Sequence, residues 1–372
     1  MKNKNEHIII SGGGTGGHIF PAIAIAESVK AIKPDAEILF VGAEGRMEME
    51  KVAAAGFRIV GLPVAGIKRK FTIENFAFLY KLYMSLKKAE EIIDSFNPDI
   101  AIGVGGYASY PVLRVAARRG IPVIIQEQNS YAGLANRMLA RRATAICVAY
   151  EGMQRYFPGK KIVYTGNPLR KAMIQSQISK EEALRFFGLS HCSKIIVLTG
   201  GSLGSRMLND SVLAHIARFD QHDTGILWQT GKLYYKEMIA KTASVNTRNL
   251  KIVDFITSME MAYAAADVII SRAGAISISE LCLVGKPVIL VPSPNVAEDH
   301  QTKNARALTD KDAAIMIPDH AAKKLLIPAA FDLLGNADKQ EVLSTNIKRL
   351  ATPDSAGRIA NIILNTIHYE HT

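Results

Sequence analysis

Three glycine-rich strand-to-helix turns hold most of the residues that could do chemistry in this chain of 372 residues. The first is Ser11-Gly12-Gly13-Gly14-Thr15-Gly16-Gly17-His18, which follows an isoleucine run and opens a helical pattern through Pro21. Glycines here remove the Cβ atoms that keep a phosphate or sugar off the backbone, and a helix N-terminus favours negative charge. Gly12, Gly14 and Gly17 formally match the dinucleotide fingerprint GxGxxG. The acidic residue expected about 20 positions later is absent at the end of the second strand, and Glu44 falls in a later loop. A tight strand-on-helix turn is the plainer reading of the same glycines. The second turn, Leu198-Thr199-Gly200-Gly201-Ser202-Leu203-Gly204-Ser205, opens the second half in the same way. The third is Ser271-Arg272-Ala273-Gly274-Ala275-Ile276-Ser277-Ile278-Ser279-Glu280. The amides and hydroxyls of these two turns suit a nucleotide diphosphate, with Glu280 either accepting from ribose hydroxyls or serving simply as a helix acid.

His18 sits at the tip of the first loop and is the preferred general base, because an imidazole titrates near neutral pH. Its alternative role is to orient the loop. Glu127 is the competing base; it could instead orient His18 or hold its own loop. The only DxD triplet, Asp310-Lys311-Asp312, reads as a solvated turn, so no metal site is expected. Charge on a leaving diphosphate would be met by helix N-termini and by Arg or Lys. Cys147, Cys192 and Cys282 lie far apart without a CxxC, which argues against structural zinc and fits a reducing compartment.

The elements that must position these loops alternate between short apolar runs and longer helical patterns. His7–Ile10, Ile38–Val41, Ile100–Val104, Val123–Ile125 and Ala145–Val148 read as buried parallel strands. The series restarts with Ile195–Leu198, Ile226–Trp228, Lys251–Val253, Val268–Ile270 and Val288–Val291, and ends on Ala314–Ile317. The fold class expected is α/β, two doubly wound Rossmann-like domains facing across a cleft. The turn residues Thr165-Gly166-Asn167-Pro168 suggest the join. The expected domains are 1–165, 166–355 and a terminal helix at 356–372 that packs back toward the first domain.

Charge narrows the partners. The chain carries 45 Lys+Arg against 34 Asp+Glu, a net charge of +11, which brings nucleic acid, a lipid surface and phosphorylated substrates into view. Residues 1–165 hold 22 basic and 14 acidic residues, so most of the excess belongs to the first domain. No nucleic-acid-binding motif or uniform basic stripe is present. On a helical wheel Phe78, Leu82, Ser85, Ala89, Ile92 and Phe96 share one face, which puts Phe76, Tyr80 and Tyr83 on the opposite one. Those rings follow Lys68, Arg69 and Lys70 and are flanked by Lys81, Lys87 and Lys88, an arrangement suited to anionic lipid headgroups. A covering loop is the bland alternative. Arg114, Arg118, Arg119, Arg137, Arg141 and Arg142 are expected to extend the basic surface. The N-terminal apolar run is too short for a signal-peptide core, and no stretch is long enough to span a bilayer.

Seven blocks now carry a resemblance: GGGTGGHIFPA at 12–22, VGGYASYPVL at 104–113, QEQN at 126–129, TGNPLR at 165–170, TGGSLGSRMLN at 199–209, SRAGAISISE at 271–280 and EDHQTKNA at 298–305. In this order they resemble the bacterial MurG family of UDP-N-acetylglucosamine transferases, glycosyltransferase family 28. The resemblance implies a two-domain GT-B fold. It also implies inverting, metal-independent transfer of N-acetylglucosamine from UDP-GlcNAc to the 4-hydroxyl of the MurNAc unit of lipid I, forming lipid II for peptidoglycan. No cofactor is implied. The enzyme would be peripheral, on the cytoplasmic face of the cell membrane.

Carried over residue by residue, the donor contacts would be Thr15, Gly16, Gly17, Asn129, Arg170, Ser202, the backbone of Ile256, then Ala275, Ile276, Ser277, Ile278, Ser279 and Glu280, and Gln301. Gly105, Gly106 and Tyr107 would position the acceptor. Leu203 stands where the family commonly has glutamine, which weakens any side-chain phosphate contact there. The competing classes are a UDP-sugar epimerase or another lipid-directed GT-B transferase, a nucleotide-dependent oxidoreductase, and a nucleic-acid-binding protein.

Overall fold

A computed structural model describes residues 5–64, 74–169, 177–201, 203–221, 223–245, 248–296 and 299–370, with the side chains of 74–79, 221, 369 and 370 excepted. Lys68, Arg69, Lys70, Arg170 and Ser202, and the side chain of Phe76, lie outside the described residues. The chain folds as two compact units: Met1–Arg170 with Thr352–Thr372, and Lys171–Ala351.

The first unit contains seven strands: β1 (His7–Ser11), β2 (Glu37–Ala43), β3 (Arg58–Leu62), β4 (Ile100–Gly103), β5 (Val123–Glu127), β6 (Ala145–Val148) and β7 (Ile162–Tyr164). All pair in parallel, in the order β3-β2-β1-β4-β5-β6-β7. Side chains alternate between the two faces of a strand, so each apolar run feeds two separate cores. Ile9, Leu39, Ala101 and Ile125 pack with Ala89, Ile92 and Ile93 of the helix Glu74–Phe96. Ile8, Ile10, Phe40 and Ile124 pack on the other face with Ile19, Ile25 and Val29 of the helix Gly16–Ile32. Ile359, Ile363 and Ile367 of the terminal helix Ser355–Glu370 complete that second core. Gly166 (φ +80°) makes the return possible: a Cβ there would lie 2.0 Å from Thr352 Oγ1.

The second unit repeats the plan with β8 (Lys194–Thr199), β9 (Thr224–Gln229), β10 (Leu250–Val253), β11 (Val268–Ser271), β12 (Val288–Leu290) and β13 (Ile315–Met316). These strands are also parallel, in the order β10-β9-β8-β11-β12-β13. Ile196, Leu198, Trp228 and Ile270 fill one core, and Ile195, Val197, Leu227 and Ile269 the other. The fold is therefore α/β with two doubly wound Rossmann-like units.

Two strands stand outside the expected series, β3 and β7, and both are sheet edges. An edge strand needs only partial burial; Ile59 and Val60 are half-buried, and Val163 and Tyr164 are exposed. The basic surface also needs correction. Arg119 lies 2.6 Å from Asp94 and Arg118 lies 3.8 Å from Glu90, both acids on the helix Glu74–Phe96. These two arginines are matched by neighbouring acids and add little to a basic field.

Candidate active site

In an open parallel sheet, ligands collect beyond the carboxyl ends of the strands where the strand order reverses. In the first sheet that point lies between β1 and β4, and in the second between β8 and β11. The loops leaving these four strands are the glycine loops 12–15, 104–108, 200–205 and 272–274. Topology thus brings the sequence blocks together in pairs within each unit.

In the first unit the two loops touch closely. Gly106 (φ +81°) packs its α-carbon against the carbonyl of Gly13, and a Cβ there would lie 2.3 Å from that oxygen. Tyr107 lies over Gly14, 3.2 Å from the position a Cβ would take. His18 is half-buried in the first turn of its helix, with Nδ1 3.1 Å from Thr15 Oγ1. Its Cδ2 and Nε2 lie 2.9 and 3.0 Å from where a Cβ on Gly105 would be. Thr15, Gly105, Gly106, Tyr107 and His18 therefore form one cluster. Gly16 and Gly17 begin the helix, whose first turn contains no acid.

Glu127 ends β5 and is buried. One oxygen accepts from the Asn129 amide at 3.1 Å and from Asn129 Nδ2 at 3.3 Å. The other accepts from the Gly133 amide and Asn136 Nδ2, both at 2.9 Å. Burial pushes its carboxyl above the ordinary 4.5, and the four donors pull it back only in part. This arrangement ties Asn129 to the end of β5. A network of buried amides backs it: Gln126 Nε2 donates to Asn167 Oδ1, Asn167 Nδ2 to the Gln128 carbonyl, and Gln128 Nε2 to the Val104 carbonyl.

In the second unit the helix Ala275–Val284 starts directly after the loop from β11, again with no acid in its first turn and no side-chain cap. Its first amides are thus suited to a phosphate. Ala275, Ile276, Ser277 and Ser279 are half-buried, whereas Ile278 points into the core. Glu280 is buried and accepts from Tyr263 Oη at 3.1 Å. The Ile256 amide donates to Gln229 Oε1 at 2.9 Å, leaving its carbonyl as the backbone group it can offer a base. Gln301 Oε1 accepts from the Ser293 amide at 2.8 Å, so its amide nitrogen is the end left to meet a ligand. The loops after β8 and β9 cross at Gly204 and Gly231, both at positive φ; a Cβ on Gly204 would lie 2.1 Å from the Thr230 carbonyl.

Several positioning residues leave no mark in the sequence pattern. Arg272 donates to the carbonyls of Val291 and Pro292 and to Ser205 Oγ, and pairs with Asp319 at 2.6 Å, joining the loops after β8, β11 and β12 to the start of the helix Asp319–Leu334. Gln229 does the same for the loops after β8 and β10. Glu48 reaches the first glycine loop from a different helix. Each partner lies far away in sequence, and no local spacing announces it.

Two doubly wound units with glycine-lined switch points, each opening a helix free of first-turn acids, define a GT-B-type protein that handles a nucleotide-linked group. The chain belongs to glycosyltransferase family 28: the family's N-terminal domain matches residues 8–148 and its C-terminal domain residues 195–359. It is 55% identical to a Parabacteroides distasonis protein, over 98% of this chain and 99% of that one. That relative is named UDP-N-acetylglucosamine--N-acetylmuramyl-(pentapeptide) pyrophosphoryl-undecaprenol N-acetylglucosamine transferase. A relative of the same name from Cytophaga hutchinsonii is 53% identical over 99% of this chain and 98% of its own. Among solved structures, Acinetobacter baumannii MurG superposes with a TM-score of 0.77 at 26% identity, covering 97% of this chain and 99% of that one.

Proposed function

We infer that the protein transfers N-acetylglucosamine from UDP-GlcNAc to the 4-hydroxyl of the MurNAc unit of lipid I, an undecaprenyl-pyrophosphoryl-MurNAc-peptide, forming lipid II with inversion. The observation that carries this is the near-complete coverage, at 55% identity, by a relative that bears the transferase name. In the step, the acceptor oxygen attacks the anomeric carbon, the bond from that carbon to the diphosphate breaks, and UDP leaves. The hydroxyl proton passes to His18. That role requires Nδ1–H to donate to Thr15, so that Nε2 carries the accepting lone pair. Tyr107 and the Gly105–Gly106 backbone position the acceptor.

In the second unit, the first amides of the helix Ala275–Val284 meet the developing diphosphate charge, and the Ile256 carbonyl accepts from uracil. Glu280, oriented by Tyr263, accepts from ribose hydroxyls, and Gln301 donates to the sugar. Arg170 and Ser202 are assigned to the donor by the family motif, as is Asn129, which Glu127 holds.

Incubation with UDP-GlcNAc and a lipid I analogue tests the reading. UDP release is expected only with acceptor present. An epimer formed without acceptor would instead make the protein a UDP-sugar epimerase.

The acceptor's lipid requires a membrane surface, and we assign the protein a peripheral place on the cytoplasmic face. No helix among the described residues is long and apolar enough to cross a membrane. Tyr80 and Tyr83 are 65% and 58% exposed, on the face opposite buried Ser85, Ala89 and Ile92. Aromatic rings beside lysines suit an anionic interface. Vesicles containing anionic lipid are expected to co-sediment the protein better than neutral ones. Charge reversal at Lys68, Arg69 and Lys70 is expected to abolish the difference; equal binding to both vesicles would remove this assignment.

A further inference from the structure

The mechanism leaves one buried acid beside the first glycine loop without a role. Glu48 stands in the first turn of the helix Met47–Ala54 and is 1% exposed. Its Oε1 accepts from the Gly14 amide at 3.2 Å and from the Ala43 amide, at the end of β2, at 3.0 Å. Its Oε2 also accepts from Gly14, at 3.3 Å. Two glycines make room for it: a Cβ on Gly13 would lie 2.2 Å from Oε1, and one on Gly42 2.6 Å from Cγ. Among the described residues its hydrogen-bonding partners are backbone amides alone.

A GxGxxG loop ordinarily turns its amides toward a pyrophosphate. Here the chain's own carboxyl group takes the Gly14 amide. We propose that Glu48 is a positioning residue for the transfer, an internal occupant of the first glycine loop that sets the shape on which His18 and Tyr107 rest. The route is short. Glu48 holds Gly13 and Gly14; the Gly13 carbonyl packs against Gly106, Gly14 packs under Tyr107, and Thr15 leads to His18. A shift of the loop by an ångström moves the base and the acceptor-positioning ring together. Such misplacement costs rate more than donor affinity, because most of the donor contacts are assigned to the second unit and only Thr15, Gly16 and Gly17 to this loop; this clause rests on the function inferred above.

The test compares Glu48→Ala and Glu48→Gln in the full chain. Glu48→Ala is expected to lower kcat by about 10- to 100-fold, the scale of an ångström-level misplacement. Its KM for UDP-GlcNAc should rise by a smaller factor than kcat falls, since Thr15, Gly16 and Gly17 are the loop's only donor contacts. Glu48→Gln should retain most of the activity, because a single oxygen already serves both Gly14 and Ala43. Added acetate should restore turnover to Glu48→Ala and leave the wild type unchanged. Amide hydrogen exchange of the segment 12–18, measured without substrate, should quicken in Glu48→Ala and not in Glu48→Gln. Unchanged exchange in Glu48→Ala, or a loss of kcat relieved neither by acetate nor by glutamine, would overturn the proposal. If Glu48→Ala does not fold, Gly13→Ala serves, since its Cβ must displace the Glu48 carboxyl; wild-type kcat in that variant would also overturn it. A wild type without acceptor-dependent UDP release would sink the transferase reading, while the exchange arm still reports on the loop.

Discussion

Replacing His18 with alanine is expected to lower kcat by about 10²- to 10⁴-fold, the range a positioned general base contributes. The melting temperature and the KM for UDP-GlcNAc should hardly move, because the imidazole is only half-buried and lies beside the loop residues Thr15 and Gly105. A second substitution tests the same site without removing the ring. Gly105→Ala would put a methyl group 2.9 Å from His18 Cδ2, and at φ +90° the new residue is itself strained. The ring must turn away, so Gly105→Ala should lose activity on a scale approaching that of His18→Ala while leaving donor binding intact. Thr15→Val should fall between these variants and the wild type, since it releases Nδ1 without displacing the ring. Steady-state kinetics beside a thermal melt decide the matter. Near-normal turnover in His18→Ala, with activity abolished in a folded Glu127→Ala, would reverse the assignment of the base.

The second large effect is expected at Glu127. Alanine there strands the four donors from Asn129, Gly133 and Asn136. The Asn136 bond is buried and the other three part-buried; leaving a buried donor unpaired costs on the order of 1–3 kcal/mol, so a loss of about 2 kcal/mol in unfolding free energy is expected. Activity should fall with it, because Asn129 loses its anchor. The pH dependence carries a definite sign. Burial, the largest influence, raises the folded carboxyl above 4.5. The folded state therefore binds the proton more tightly than the unfolded one, and the residue's contribution is fully present below 4.5 and declines as pH rises through the folded value. The difference in unfolding free energy between wild type and Glu127→Ala should accordingly be larger at pH 5 than at pH 8. Denaturant titrations at the two values measure it.

Local chemistry is readable where it is written locally. A continuous apolar run of β-branched residues predicts a strand buried on both faces, and a glycine cluster behind it predicts the turn into a helix. The central strands and all three glycine turns appear where those signals stand. The wheel of the helix Glu74–Phe96 is equally direct: burial of Ser85, Ala89 and Ile92 forces Tyr80 and Tyr83 outward. The two edge strands of the first sheet escape such a reading because half a burial leaves half a signal, as at Val163 and Tyr164. The basic patch is smaller than charge counting suggests, because counting is blind to partners: Arg119 is answered by Asp94, 25 positions away.

Residue order alone thus settled the two α/β series, the glycine turns and the family, because each rests on neighbours a few positions apart. Tertiary structure decided which turns meet. Strand order, a long-range property of hydrogen-bonded pairing, places loop 12–15 against loop 104–108 and packs the helix Ser355–Glu370 onto the first unit. It also turned Glu127 from a free candidate into a carboxyl held by four donors, and placed Glu48 as a buried occupant of the loop beside His18. A carboxyl group's role depends on which donors the folded backbone brings within about 3 Å, the reach of a hydrogen bond. No spacing along the chain encodes that distance.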